Sequence, residues 1–300
     1  MKNLAVIDCG TNTFHLLIAR PSETGFKEVH RERRFIKLAE AGIAKIGDAA
    51  YARALQTLQD FAVLLQQHAV ETVRVSGTAA LRTASNGPAF VAEVKAKTGL
   101  SIDLISGKEE AQLIYKGVRQ AIGPQQGRWM VMDIGGGSVE FIIVDEEGVR
   151  WFESFPVGVA VLFRQLHKSD PINAEEIEAT RLFLNSQLVE LQLVLAKYPL
   201  THLVGAAGTF DVLAASLGTH QATPYCTQVE LEGFMAFYQK IVAATQAERH
   251  AMPDVPDDRA DMIVVALILV QFVLEKAGIK HLTVSDYSMK EGMLAEMLEE

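Results

Sequence analysis

Two stretches of this chain are versions of one another. Val6–Ala19 reads VIDCGTNTFHLLIA and Val131–Val144 reads VMDIGGGSVEFIIV. At a constant offset Asp8 falls on Asp133, Gly10 on Gly135 and Thr13 on Ser138. Short apolar runs with β-branched residues read as buried strands, and each copy has one before and one after its polar centre. The glycines between them predict a tight turn whose backbone approaches a ligand closely. Two copies are too few for a solenoid, so the pattern predicts two similar lobes facing one cleft.

Successive N–H groups in such a turn form a concavity suited to phosphate oxygens. Gly10, Thr11, Asn12 and Thr13 are therefore candidate phosphate contacts, as are Gly135, Gly136, Gly137 and Ser138. Asp133 and Glu140 bring carboxylates to the same place. Carboxylates do not bind phosphate directly, so a hard cation between them is expected, Mg²⁺ by its chemistry. Asp8, the counterpart of Asp133, joins this candidate metal set. An ordinary Gly-rich hairpin with solvated acids accounts for one copy alone; the second copy favours the ligand reading.

Three hundred residues accommodate two domains of about 150 residues each. A net charge of −9 argues against a nucleic-acid or anionic-membrane surface. Cys9 and Cys226 form no CxxC and no metal spacing, which suits a reducing compartment and gives no nucleophile. The start MKNLAVIDCG does not read as a signal peptide. The run Met262–Val270 is too short for a membrane span, which needs about 20 residues, and reads as a buried helix. A cytoplasmic protein is the expectation, with no nucleic-acid or membrane partner, and a homodimer is compatible with it.

Along the chain, strands are predicted at Leu4–Asp8, Phe14–Ala19, Lys27–Leu38, Val73–Val75 and Ser101–Ile105. Helices are predicted at Asp48–His68, with Asp48 as N-cap, from Asn86 to Lys97 and over Gly107–Ile122. Gly123–Gly127 is the best linker. The second half repeats the plan with strands at 129–133, 139–144, 149–155, 203–205 and 282–284. Its helices are expected near 158–167, 173–197, 208–217, 230–246, 258–277 and 289–298. This order argues for mixed sheets in α/β layers. The predicted domains are residues 1–124, joined by a C-terminal helix 287–300, and residues 125–286.

Ser106 followed by Glu109 fits a capping box. That claims Glu109 and leaves Glu110 pointing elsewhere around the first turn, either as a solvated first-turn acid or as a catalytic group. Arg82 is a candidate phosphate clamp, since guanidinium binds phosphate bidentately, or else a surface arginine. Gly205–Thr209, GAAGT, presents helix-start N–H groups at Gly208 and Thr209, or is plain close packing of small residues. His15 reads as structural. Arg31, Arg33, Arg34 and Lys37 form a local positive patch or a solvated strand face. No P-loop, Rossmann, G-x-S-x-G or H-E-x-x-H pattern is present.

Taken in order, DCGTNTFHLLI, GTAALRTASN, ISGKEEAQLIYKGV, MDIGGGSVEF, FPVGVAVL, GAAGTFDVLA and VSDYSMKEGML resemble the Ppx/GppA family. These are exopolyphosphatases and guanosine pentaphosphate phosphohydrolases of the actin/sugar-kinase-like superfamily. The resemblance implies an α/β fold of two ribonuclease-H-like lobes around an interdomain cleft, with the last helix returning to the first lobe. It also implies Mg²⁺-dependent removal of a terminal phosphate. By motif match the catalytic glutamate falls on Glu110, the second essential acid on Glu140, the metal-linked aspartate on Asp133 and the phosphate-contacting arginine on Arg82. Two motifs depart from the family: Leu38–Gly42 replaces a Gly-Glu-Gly pattern, and Ala206 and Ala207 stand in a turn that is usually glycine-rich. Longer members carry C-terminal helical domains that help hold extended polyphosphate; their lack and the acidity here argue against processive action on very long chains.

The expected reaction is hydrolysis of inorganic polyphosphate or guanosine pentaphosphate, with Glu110 as general base and Mg²⁺ near Asp133 and Glu140. Two other classes stay open: an ATP-dependent kinase of the same superfamily, and a non-catalytic sensor that binds guanosine tetra- or pentaphosphate.

Overall fold

The duplicated hairpins each begin a sheet of the same order. The structure, a computed structural model, describes residues 2–23, 25–123, 125–206 and 208–299. The chain forms two compact units, Met1–Gly117 with Met289–Glu300, and Val118–Ser288. The Gly123–Gly127 stretch lies within the second; Pro124 of that stretch is outside the described residues.

The first unit begins β1 (Asn3–Cys9), β2 (Thr13–Ser22), β3 (Gly25–Phe35), α1 (Asp48–Gln67) and β4 (Val70–Gly77). It continues α2 (Ala79–Thr83), α3 (Gly87–Thr98), β5 (Ile102–Leu104) and α4 (Gly107–Ile122), and the division between units falls inside α4. Its sheet runs β3-β2-β1-β4-β5, with β1 antiparallel to β2, β2 to β3, and β1, β4 and β5 parallel. That is the ribonuclease-H-like arrangement. Helix α1 buries Leu55, Leu58, Phe61 and Leu65, an apolar stripe at helical spacing, and each such side chain contributes roughly 1.5–3 kcal/mol on burial. Asp48 is the first residue of α1 and Gly47 its cap, so the acid acts through the helix dipole and not as the expected N-cap. The helix from Met289 to Glu299, labelled α13 below, packs across β1 and β2. Its Gly292 is required there: a Cβ would lie 1.8 Å from the Leu113 carbonyl oxygen of α4. Glu291, fully buried, meets Arg31 of β3 at 3.1 Å.

The second unit begins with β6 (Trp129–Ile134), β7 (Val139–Asp145), β8 (Gly148–Phe155), α5 (Val159–Leu166), α6 (Ala174–Gln187) and α7 (Val189–Lys197). Next come β9 (His202–Ala206), α8 (Thr209–Leu217), β10 (Gly218–Thr223) and β11 (Cys226–Val229). It closes with α9 (Phe234–Ala243), α10 (Gln246–His250), α11 (Asp257–Ala260), α12 (Ile263–Ala277) and β12 (His281–Ser285). The order β8-β7-β6-β9-β12 repeats the first sheet, and β11 and β10 extend it. The core gathers on α12, whose residues Ile263–Val270 are all buried. No helix among the described residues is long and apolar enough to cross a membrane.

Further features differ from the sequence reading, among them the short helices α2 and α10, where none was expected. The hairpin β10–β11 falls where no strand was expected. Its first strand, GTHQAT, is polar and largely exposed on the sheet edge, so no alternation marks it. The helix expected over 173–197 breaks at Leu188, which leaves helical geometry (φ −100°, ψ 28°) and is buried. The helix expected over 258–277 is two, with α11 separate from α12.

Candidate active site

In both units the candidate residues follow the carboxyl ends of the parallel strands, where open α/β sheets bind ligands. In the first unit the ends of β1, β4 and β5 are tied in line: Thr78 N donates to Cys9 O at 3.3 Å and Ile105 N to Gly77 O at 3.1 Å. The turn Gly10–Thr13 leaves β1, α2 with Arg82 leaves β4, and α4 with Glu110 leaves β5.

The Gly10–Thr13 turn is closed by Gly10 N donating to Thr13 O at 3.1 Å. Its carbonyls face the segment after β3. Leu38 N donates to Thr11 O at 2.8 Å, and Ile36 N and Lys37 N donate to Asn12 O at 2.7 and 3.0 Å. N–H and C=O of one trans peptide point opposite ways, so the amides of Asn12 and Thr13 point away from that segment. Thr11, Asn12 and Thr13 are all buried. Ser76, Asp8, His15 and Arg33 pair in one row across β4, β1, β2 and β3; directly opposed residues share a face. Burial, and then the Asp8 carboxylate, push the Cys9 thiol well up, which removes it as a nucleophile.

At the start of α4 the two glutamates separate. Ser106 Oγ accepts from Glu109 N at 3.2 Å, and Ser106 N donates to the Glu109 carboxylate at 2.7 Å. This is a complete capping box, and the Ser106 amide and hydroxyl hold the Glu109 carboxyl below its usual range. Glu110 turns to another side of the helix and is 8% exposed. Arg82 Nη1 stands 3.8 Å from Glu110 Oε2 and also donates to Ile105 O at 2.5 Å. The arginine is thus anchored on the α4 approach and adds positive charge beside the buried acid. The positive strand face is largely neutralised: Arg31 meets Glu28 and Glu291, and Arg34 meets Glu32 and Asp60.

The Gly135–Ser138 turn of the second unit repeats the first. Gly135 N donates to Ser138 O at 3.0 Å. Its carbonyls accept from the opening of α5: Gly158 N to Gly137 O at 3.3 Å, Val159 N to Gly135 O at 3.0 Å and Ala160 N to Gly136 O at 2.9 Å. Helix-start donors that lack intrahelical partners are satisfied here by the turn. Gly158 permits the approach, since a Cβ there would lie 2.5 Å from the Gly136 carbonyl carbon and oxygen. The amides of Gly136, Gly137 and Ser138 point the other way, and none has a backbone partner among the described residues.

Asp133 and Glu140 are directly opposed across β6 and β7, with Ser154 next in the row on β8. Asp133 is 9% and Glu140 1% exposed. Ser154 Oγ donates to Glu140 Oε1 at 2.6 Å, and the Ser288 hydroxyl, beyond β12, donates to Asp133. No group of three or more His, Cys, Asp or Glu among the described residues makes a complete metal cage. Two oriented carboxylates on one face instead fit Mg²⁺, which takes one or two carboxylates, water and substrate phosphate.

Beyond β9, Gly208 has φ +55° and precedes α8, with Thr209 buried behind it; Ala207 lies outside the described residues. A Cβ on Gly208 would stand 3.5 Å from both Ile134 O and Arg259 Nη1. Arg259, from α11, therefore joins the glycine turn and the end of β6. Sequence reasoning missed it; its one signal is a lone cation inside the acidic run DVPDDRAD. The cavity of about 490 Å³ lined by His202, Lys280 and His281 opens at the amino ends of β9 and β12 and contains none of these groups.

Two sheets of this order, each with a tight turn after its first strand and an aspartate at that strand's carboxyl end, define an α/β protein of two ribonuclease-H-like units. The chain belongs to the Ppx/GppA phosphatase family, whose model matches residues 17–300. It is 30% identical to exopolyphosphatase 2 of Mycobacterium tuberculosis, over 98% of both chains. It is 28% identical to a guanosine-5'-triphosphate,3'-diphosphate pyrophosphatase of Vibrio cholerae, over 99% of this chain and 59% of that protein. Among solved structures, an exopolyphosphatase of Cytophaga hutchinsonii superposes with a TM-score of 0.94 at 35% identity, covering 99% and 98% of the two chains. The Aquifex aeolicus family member gives 0.82 at 25% identity, covering 99% and 98%.

Proposed function

We propose that this chain hydrolyses the terminal phosphoanhydride bond of inorganic polyphosphate, of guanosine pentaphosphate, or of both, releasing orthophosphate. In the first unit, Glu110 accepts a proton from water as the water oxygen bonds to the terminal phosphorus. The anhydride P–O bond breaks, and the bridging oxygen leaves on the shortened substrate. Arg82 keeps the Glu110 carboxylate in place, and the amides of the Gly10–Thr13 turn contact phosphate oxygens, with Asp8 at its base. In the second unit, the amides of Gly136, Gly137 and Ser138 and the helix start at Gly208 and Thr209 do the same, with Arg259 beside them. Asp133 and Glu140 would hold Mg²⁺, largely through water, which when bound neutralises charge on the phosphoryl oxygens. Positional and electrostatic effects supply the larger share of the acceleration.

The single observation that carries the base assignment is Glu110, a shielded carboxylate that the capping box leaves to other work. Phosphate release from both substrates, with and without Mg²⁺, tests the function. Glu110→Gln is expected to bind substrate as before by calorimetry and to lose turnover by about 10²–10⁴-fold, the worth of a general base. Full turnover in that variant removes Glu110 from the mechanism. ADP formation that needs an acceptor would make the protein a kinase, and tight binding without release a sensor.

A further inference from the structure

Helix α11, which carries Arg259, is four residues long, too short to hold itself. It is held by the two residues that end α10. Arg249, 1% exposed, donates through Nε to Ala260 O at 2.9 Å and through Nη1 to Ala244 O, with Asp170 3.7 Å away. His250 bridges two acids: Nδ1 lies 3.2 Å from Asp257 Oδ1 and Nε2 3.4 Å from Asp261 Oδ1. These aspartates stand two residues before and two after Arg259. The charged groups that face the ring are Asp257, from α11, and Asp261, at its end. Gln246 Nε2 donates to the same Asp261 oxygen at 2.6 Å. Its backbone N–H donates to Asp170 at 2.8 Å.

We propose that His250 is a positioning residue that, as an imidazolium, ties both flanks of α11 and so holds Arg259 at the Gly208 turn. The inference rests on reading that turn as a phosphate contact. A neutral imidazole donates through one nitrogen only, whereas two carboxylates require both. The Asp257 carboxylate, against a smaller effect of burial and with help from Asp261, raises the His250 pKa above its ordinary value. A raised value means the clamp is complete below the unfolded-state pKa and is lost as pH rises through the folded one. Arg259 then loosens as pH rises through the raised His250 value, and phosphate affinity falls before the chemical step does.

The test compares pH profiles of phosphate release for wild type, His250→Gln and His250→Arg. In the wild type KM is expected to rise about twofold to fivefold across the His250 titration, the worth of solvent-screened ion pairs, with kcat changing less. His250→Gln shows the high KM at every pH. His250→Arg, a fork that stays charged, keeps the low KM throughout. The same KM step in His250→Gln overturns the proposal. A readout without substrate separates it from the reaction assigned above: NMR titration gives His250 a raised pKa that returns to the ordinary value in Asp257→Asn/Asp261→Asn. A wild type that releases no phosphate defeats the reaction; an ordinary His250 pKa in the wild type defeats the clamp.

Discussion

The two hairpins are one device fitted with different side chains. In each, the turn has its first amide bonded to its fourth carbonyl and further carbonyls tied to the chain after the third strand, those of Thr11 and Asn12 in the first and of Gly135, Gly136 and Gly137 in the second. In each, an aspartate sits at the end of the first strand. The difference lies one strand over. Asp8 faces His15, which faces Arg33, whereas Asp133 faces Glu140, which faces Ser154. The first row ends in groups that favour anions. The second stacks two carboxylates, a pairing that a bound cation would relieve. Duplication thus preserved the amide cradle while the neighbouring strands parted company in charge.

The sharpest way to break this comparison is to neutralise equivalent positions. Glu140→Gln is expected to lower Mg²⁺-dependent kcat by about 10²–10³-fold, the scale of losing one electrostatic contact to developing charge. His15→Gln should cost under about tenfold on the same scale. Equal losses in the phosphate-release assay would make the charge difference irrelevant. Next in size is the tie behind the second turn. Gly158→Ala forces a methyl group onto the Gly136 carbonyl and should cost about 1–3 kcal/mol in denaturant unfolding, the range for overpacking. The smallest effect sharpens the contrast from the other side. Lys37, in the tie behind the first turn, has φ +52°, strain that glycine avoids. Lys37→Gly should therefore stabilise by about 0.5 kcal/mol, after the entropy of a freer unfolded chain is subtracted; a loss of stability would show that the lysine side chain holds the turn.

Much of this was legible because it rests on local rules. The duplicated turns announce themselves by identity at fixed offset, and Ser106 with Glu109 marks a cap that singles out Glu110. What escaped depends on distant partners. No spacing rule connects Gly158 with Gly136, or α5 with the carbonyls it caps. Arg259 lies far along the chain from Gly208, and only the folded sheet brings them together. Hairpin β10–β11 is polar on an edge, where the hydrophobic pattern that marks interior strands is missing. The face of β3 looked cationic because two of the carboxylates that meet Arg31 and Arg34, Glu291 and Asp60, come from α13 and α1.

Helix α13 has a consequence for synthesis. The second unit is one unbroken segment, Val118–Ser288, while the first needs residues from both sides of it. On the ribosome, β1 is made before the second unit yet waits for the helix that covers it until that whole unit has emerged. Arg31 likewise waits for Glu291, and the Leu113 carbonyl for Gly292. The lobe translated first is therefore finished last, and a nascent chain halted before Met289 would expose the β1 surface that the late helix shields.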